Sequence, residues 1–385
     1  MIRRFVLAAA LALALWGGDV STARSADPGP LFGVSVNRIV NDDFTPAHWD
    51  APFRAVRASG ITQARTDAFW MWAEAGPPRQ GVHRYDWRRL DAVARALASH
   101  RLRWLPILDY SAIWAATYKG DYHSPPRSNA DYVAYAGAFA RRYGRGGSFW
   151  RLHPRLPRLP VTDYEIWNEP NNGKFFWKPK PDAARFADMY LRARGVIHAV
   201  DPRATVVVGG LVAHPSFVMA MYAARPDLRG KVDALGWHAY APRVEGLLRG
   251  LRDLRATLEI EGEAGLPVHV TELGWPTAGG DPTVLPEPAR ATALEAAADR
   301  IARSDCGVNA LIAYTWLTPR HDRTGFGIRR PDGRPGPSSR AFARVMKRYE
   351  SGSPKRLPIC HPPGKGPAIG SALRRGTGAA VTALT

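Results

Sequence analysis

Residues 163 to 172 read DYEIWNEPNN. The run begins with the residue preferences of a β-strand and ends by placing a carboxylate, Glu169, between an asparagine and a proline. Pro170 cannot continue a helix, and its ring disfavours helical geometry at the residue before it. The acid is therefore presented at the exit of a buried strand.

That stretch is one of eight apolar runs separated by helical patterns, the signature of repeated βα units rather than of hairpins. The candidate strands are LFGVSV (31 to 36), QARTD (63 to 67), RWLPIL (103 to 108), DYEIW (163 to 167), TVVVG (205 to 209), ALGW (234 to 237), VHV (268 to 270) and ALIAY (310 to 314). Eight is the number that closes a TIM barrel, so the fold class expected is α/β, a (β/α)8 barrel. Between them, DWRRLDAVARALASH repeats Leu90, Val93, Ala94 and Leu97 at three and four residues behind a capping Asp86. PDAARFADMYLRARGVIHAV repeats Phe186, Met189, Tyr190 and Ile197 after Asp182. GRGGSFWRLHPRLPRLP (144 to 160) is rich in Gly and Pro and reads as an extended connection.

Composition sets the outer limits. The 385-residue chain is 45% hydrophobic with 13 Trp, 13 Tyr and 13 Phe, ample material for one large core. Arg3 and Arg4, an apolar run from Phe5 to Trp16 and small residues at Ser21 and Ala23 have the anatomy of a secretory signal peptide. Three segments follow: 1–25 signal peptide, 26–350 barrel domain, 351–385 a flexible basic Gly/Pro-rich tail. No run reaches the ~20 apolar residues of a membrane span. A secreted, periplasmic or cell-surface monomer is expected. Cys306 and Cys360 are the two cysteines, and an even count in an exported chain favours a disulfide between them.

The formal net charge of +19 invites a nucleic-acid reading. The arginines are scattered over polar helix faces and no RNA- or zinc-type motif accompanies them, so no nucleic-acid partner is expected. Attraction to an acidic or cell-envelope glycan fits the same charge.

In such barrels the chemistry sits at the C-terminal ends of the strands. The polar residues delivered there are Arg65 after the second run, Asn168 and Glu169 after the fourth, His238 and Tyr240 after the sixth, Glu272 after the seventh and Trp316 after the eighth. Strands four and seven lie three places apart around the ring, so Glu169 and Glu272 would face each other across the mouth. Paired carboxylates in that relation are what glycosidic cleavage needs. Trp70, Trp72, Trp177 and Trp275 also follow strand ends and suit a sugar cleft.

WNEPN on the fourth strand with TELGW on the seventh, HAY after the sixth and a Trp after the eighth resembles a retaining glycoside hydrolase of clan A. EIWNEPNN and FGVSVN through RTDAFWMW are most similar to families 39 and 5. The resemblance spans roughly residues 31 to 348 and implies Glu169 as acid/base and Glu272 as nucleophile. It also implies Asn168 at the sugar 2-hydroxyl, Tyr240 and Arg65 against Glu272, and Trp316 beneath the sugar, with no metal or organic cofactor. A guanidinium and a phenol donating to Glu272 favour its charged form, while that charge and nearby aromatics such as Trp167 favour a proton on Glu169. A glycan-binding barrel without activity and a basic surface adhesin are the rival readings.

Overall fold

The computed structural model describes residues 30–42, 45–212, 215–318, 322–330, 332–350 and 355–363. The signal segment 1–25 and residues 364–385 of the tail lie outside them. Eight parallel strands close into one barrel in chain order: β1 Leu31–Ser35, β2 Gln63–Phe69, β3 Arg103–Asp109, β4 Asp163–Ile166, β5 Thr205–Val212, β6 Ala234–Ala239, β7 Val268–Leu273 and β8 Val308–Ala313. The ring is sealed where Leu31 to Val34 pair with Ala310 to Ala313. The (β/α)8 expectation holds for every strand, with ends displaced by a few residues.

The helices outside are α1 Asn37–Asp42, α2 Asp50–Ala58, α3 Trp70–Ala73, α4 Arg88–Ser99, α5 Asn129–Tyr143, α6 Ser148–Leu152, α7 Ala183–Val200, α8 Ser216–Ala224, α9 Val244–Ile260, α10 Glu287–Ala302 and α11 Pro337–Glu350. They form for the reasons their sequences suggest. The Asp86 carboxylate accepts from the Arg88 amide at 3.0 Å at the start of α4. Leu90, Val93, Ala94 and Leu97 are buried along one face, each Leu or Val contributing roughly 1.5–3 kcal/mol on leaving water. Asp182 caps α7 through the Arg185 amide at 2.9 Å.

Two expectations change. The Gly/Pro-rich connection contains the short helix α6, because Phe149 and Trp150 bury against the core while the glycines and prolines stay outside it. Part of the supposedly flexible tail, residues 355–363, is docked. Leu357 bridges in parallel to Ser304, the Cys360 amide donates to Asp305 at 2.7 Å, and Cys306 and Cys360 are joined by a disulfide. These contacts lie at the entry to β8, the barrel end opposite the strand exits.

The barrel interior is not wholly apolar. Arg65 on β2 and Glu165 on β4 meet across it, both with side chains fully excluded from solvent, through Nε to Oε2 at 2.6 Å and Nη2 to Oε1 at 3.0 Å. Burial pushes the Glu165 carboxyl up, but the Arg65 charge and hydrogen bonds outweigh it and hold the group below its ordinary value. A carboxylate depressed in this way stabilises the fold at and above the ordinary carboxylate range and loses that contribution as pH falls through its lowered value.

Two outcomes follow for stability. Arg65→Met strands an uncompensated carboxylate inside the barrel, and urea unfolding at neutral pH should show a loss of about 3–5 kcal/mol, shrinking when the measurement is repeated in acid. Cys360→Ser opens a 54-residue loop. It should cost on the order of 2–4 kcal/mol, and wild-type protein unfolded in reductant should show the same loss.

Candidate active site

Three departures from regular strand geometry aim the site. The first is the exit of β4. Trp167 and Glu169 take φ values of 65° and 45° on either side of Asn168, left-handed conformations that cost non-glycine residues of order 1–2 kcal/mol each. Hydrogen bonds hold them: Trp167 N–H to Leu108 O at 3.1 Å, its indole N–H to Phe176 O at 2.6 Å, and Asn172 N–H to Glu169 O at 2.9 Å. The chain turns sharply, and the Glu169 side chain returns toward the barrel axis. A side chain on Gly209 of β5 would collide with the Ile166 and Trp167 carbonyls, so the neighbouring strand must leave that volume empty.

The second departure is in β5, whose pairing with β6 slips between Val208 and Leu211. The bulge turns the Gly210 N–H onto Glu165 Oε1 at 2.9 Å. A Cβ on Gly210 would overlap the His238 ring. The third is in β7. Trp237 pairs with Val270 but His238 pairs with Glu272, leaving Thr271 as an extra residue. Val268 and Val270 share the direction of Leu235 and Trp237, and Trp237 lies against Gly250 of α9. Without the inserted residue Glu272 would follow them outward; with it, Glu272 shares the inward face of His238. Re-aiming a side chain beside a site is a recurrent use of a bulge.

Arg65 joins what these devices deliver. Besides Glu165, it donates from Nη1 to Glu272 Oε1 at 2.7 Å and from Nη2 to Asn168 Oδ1 at 3.0 Å, and Nη2 lies 3.3 Å from His238 Nε2. Burial by itself would weaken the guanidinium's charge, but Glu165 and Glu272 hold it protonated well above the ordinary range. An N–H facing His238 Nε2 makes that nitrogen the acceptor, so its ring proton is assigned to Nδ1, which donates to Glu169 Oε1 at 2.8 Å. Asn172 donates to Glu169 Oε2 at 2.7 Å. The Tyr240 hydroxyl donates to Glu272 Oε2; burial first, and then the Glu272 charge, push that phenol well above its ordinary value, so it stays a donor.

The arrangement therefore brings Glu169, Glu272, Arg65, Asn168, His238 and Tyr240 together. Oxygens of the two carboxylates lie within 4.8 Å of each other. Glu169 and Glu272 are 7% and 6% exposed, while Arg65 is fully enclosed and acts on the site through its neighbours rather than on a ligand. The triad Glu169, His238 and Glu272 has the donor types of a cation site. Arg65 and Tyr240 already occupy the two Glu272 oxygens, however, and the buried guanidinium charge repels a cation there. The sulfurs of Cys306 and Cys360 are spent in their disulfide.

The tryptophans are placed differently from expectation. Trp177 is enclosed edge-on between Trp167 at 5.2 Å and Phe186 at 5.7 Å. Trp275 is buried with its indole N–H on Ala241 O at 2.7 Å, and Trp70 stacks on Tyr135 within the core. Trp316 is 1% exposed and lies beneath the Arg329 guanidinium at 4.8 Å. These four are packing residues. The aromatic beside the carboxylates on the β8 side is Tyr314, half-buried, 6.5 Å from Tyr240 and 5.3 Å from Phe326. Opposite it, partly open Phe69, Trp72, Tyr122 and Phe176 line the exits of β2 to β4.

Sequence reasoning missed four further groups at the mouth. Tyr110 accepts from Asn168 Nδ2 at 3.1 Å, and Asn172 holds Glu169. Asp67 accepts from Asn41 Nδ2 at 2.6 Å. Asp109, fully buried, has its carboxyl raised well above the ordinary range by burial and by Asp67. The rule that collects polar residues after each apolar run would have found Asp109 and Tyr110 in RWLPILDY.

No protein-family model matches the sequence, and no curated protein is significantly similar to it. Solved structures are similar in fold. A GH39 β-xylosidase from Caulobacter crescentus aligns with TM-score 0.62 and 20% identity over 84% of this chain and 73% of its own. A GH5_18 protein from Streptomyces cattleya in complex with GlcNAc aligns with 0.60 and 17% over 87% and 83%. An endo-1,4-β-mannanase from Rhizomucor miehei aligns with 0.54 and 16% over 84% and 96%. At these identities the likeness establishes the shared barrel, and the neighbours include the two glycoside hydrolase families that the motifs resemble.

Proposed function

We propose that the protein is a glycoside hydrolase, an exported retaining β-glycosidase that cleaves O-glycosidic bonds of a poly- or oligosaccharide by double displacement. The observation that carries this is the spacing of the two carboxylates. One oxygen of each lies within 4.8 Å of the other, too close for the ~6.5–9.5 Å gap that admits a water and on the side of the ~5–5.5 Å spacing of enzymes that attack the anomeric carbon directly.

The hydrogen bonds divide the labour. Glu272 is anchored at both oxygens, by Arg65 and by Tyr240, which holds it in one orientation as a nucleophile requires. Among the described residues Glu169 accepts from His238 and Asn172, neutral donors that leave lone-pair positions for a transferable proton. Glu169 gives that proton to the leaving oxygen as Glu272 bonds to the anomeric carbon. It then takes one from water as the ester is hydrolysed. Asn168, fixed by Arg65 and Tyr110, is placed for the 2-hydroxyl. Aromatic side chains on both sides of the mouth support a chain-binding cleft.

The N-terminal sequence supports export, and so does a disulfide, which persists in oxidising compartments. Among the described residues no helix is long and apolar enough to cross a membrane. The positive charge favours an acidic or cell-envelope glycan.

Glu272→Ala should lower kcat by at least about 10⁴-fold, and a 2-fluoro glycosyl fluoride should label Glu272 in the unsubstituted enzyme; mass spectrometry finding the label elsewhere would sink the assignment. Glu169→Gln should slow substrates with poor leaving groups by roughly 10²–10⁴-fold and spare the glycosylation step of activated aryl glycosides. Equal losses on both substrate types would remove Glu169 from the acid role.

A further inference from the structure

The loops that follow β7 and β8 enclose an open hollow of about 690 Å³, lined among others by Thr277, Glu287, Arg290, Arg323, Arg329 and Arg330. Its charges do not cancel. Glu287 is paired with Arg290 and accepts from the Ser338 amide, and Arg290 also holds the Gly325 and Gly327 carbonyls at 2.6 and 2.8 Å. Asp322, also on the wall, is paired with Arg38 at 2.7 Å. Three cations remain. Arg323 and Arg330 are exposed, and among the described residues no acidic side chain pairs with either. Arg329 lies half-buried over Trp316, donating to Gly333 O at 2.8 Å and to Ser59 Oγ at 3.4 Å, and among the described residues no carboxylate pairs with it. Burial acts against its charge, opposed only by the field of Asp332. Its guanidinium is thus held by neutral partners, which orient it and leave its charge free to meet an anion.

The position joins this hollow to the cleft. Gly325 and Gly327 line the hollow, while Phe326 between them turns to the other side, 6.0 Å from Tyr240 and 5.3 Å from Tyr314. Tyr240 is the donor to Glu272. One loop thus has the hollow on one side and, through Phe326, the surroundings of the cleavage site on the other. The loops after the seventh and eighth strands are also where barrels of this architecture commonly hold anionic groups.

We propose that this hollow is a subsite for a carboxylate or sulfate carried by the glycan chain that occupies the cleft, one or more sugar units away from the bond cleaved. The proposal extends the glycosidase reading by naming the charge on its substrate. Guanidinium groups suit it, because they bind such oxyanions with paired hydrogen bonds. The three arginines line one concavity rather than a track, which favours a charged sugar over a nucleic-acid backbone.

The test uses calorimetric binding of a β-linked oligomannuronate and of its methyl ester, which is the same chain without charge. The full-length protein carries Glu272→Ala to prevent turnover. Adding Arg323→Ala and Arg330→Ala should weaken the acidic chain about tenfold or more and leave the ester unchanged. Arg103→Ala with Arg203→Ala, two exposed arginines at strand entries on the opposite face, removes the same charge and should have little effect. Equal weakening by both pairs, equal affinity for acid and ester, or an arginine-dependent preference for duplex DNA would overturn the subsite. Cleavage of neutral β-glycans without preference for the charged chain would sink the subsite and leave the activity standing. Arginine-dependent binding of the charged chain by a wild-type protein that cleaves no glycan would do the reverse.

Discussion

The site is organised around one buried guanidinium. Arg65 reaches Glu165, Glu272, Asn168 and His238 from the second strand, partners delivered by the fourth, sixth and seventh strands. The Glu165 and Glu272 carboxylates, enclosed without that cation, would repel one another in a medium where charges are weakly screened. The strand irregularities can be understood from this requirement. The β5 bulge supplies the Gly210 amide to Glu165 and clears space for His238, and the inserted Thr271 turns Glu272 toward Arg65. Glu165, a structural residue by its burial, is the permanent counter-charge that makes an arginine tolerable at the centre of the barrel.

Stability devices collect at the other end. Beneath β8, the disulfide ties the 355–363 segment to the strand entry, and buried Arg255 gathers the carbonyls of Cys306, Ala264 and Leu266 at 2.6 to 3.0 Å. A guanidinium bonded only to carbonyls fixes loop ends without entering the chemistry. Bulges and left-handed residues at the strand exits carry local cost, and a tightly tied opposite face lets the barrel sustain them. This division agrees with the general rule that the C-terminal rim of such barrels carries function and the N-terminal rim carries stability.

The fold was readable because its signals are periodic. Eight apolar runs alternating with amphipathic helices leave little choice of architecture, and Glu169 and Glu272 were recognisable from short motifs at strand ends. What escaped depends on single-residue register. In the eighth run, ALIAY, Tyr314 reads as the last strand residue and Trp316 as the aromatic at the rim. The strand ends at Ala313, however, so Tyr314 stands at the mouth and Trp316 is carried under Arg329. Trp177 was misread for a related reason: a loop tryptophan near a strand end looks the same in sequence whether it lines a cleft or plugs one. No pattern in TELGW announces that Thr271 is an extra residue. The short helix α6 was hidden because the burial of Phe149 and Trp150 outweighed the composition around them.

Arg65 bonds to Glu272 and not to Glu169, and its anchoring matters when charge leaves the site. In the proposed reaction Glu272 loses its negative charge on forming the ester, which would ordinarily release a cation bound to it. Arg65 is held by two hydrogen bonds to Glu165 that do not depend on Glu272, so it has no reason to move. Asn168, bonded both to Arg65 and to Tyr110, keeps its place for the same reason. The donors are thus already in position when water enters for the second step, and little reorganisation is required between the half-reactions. The inner ion pair is what allows the outer one to be broken and remade in each cycle.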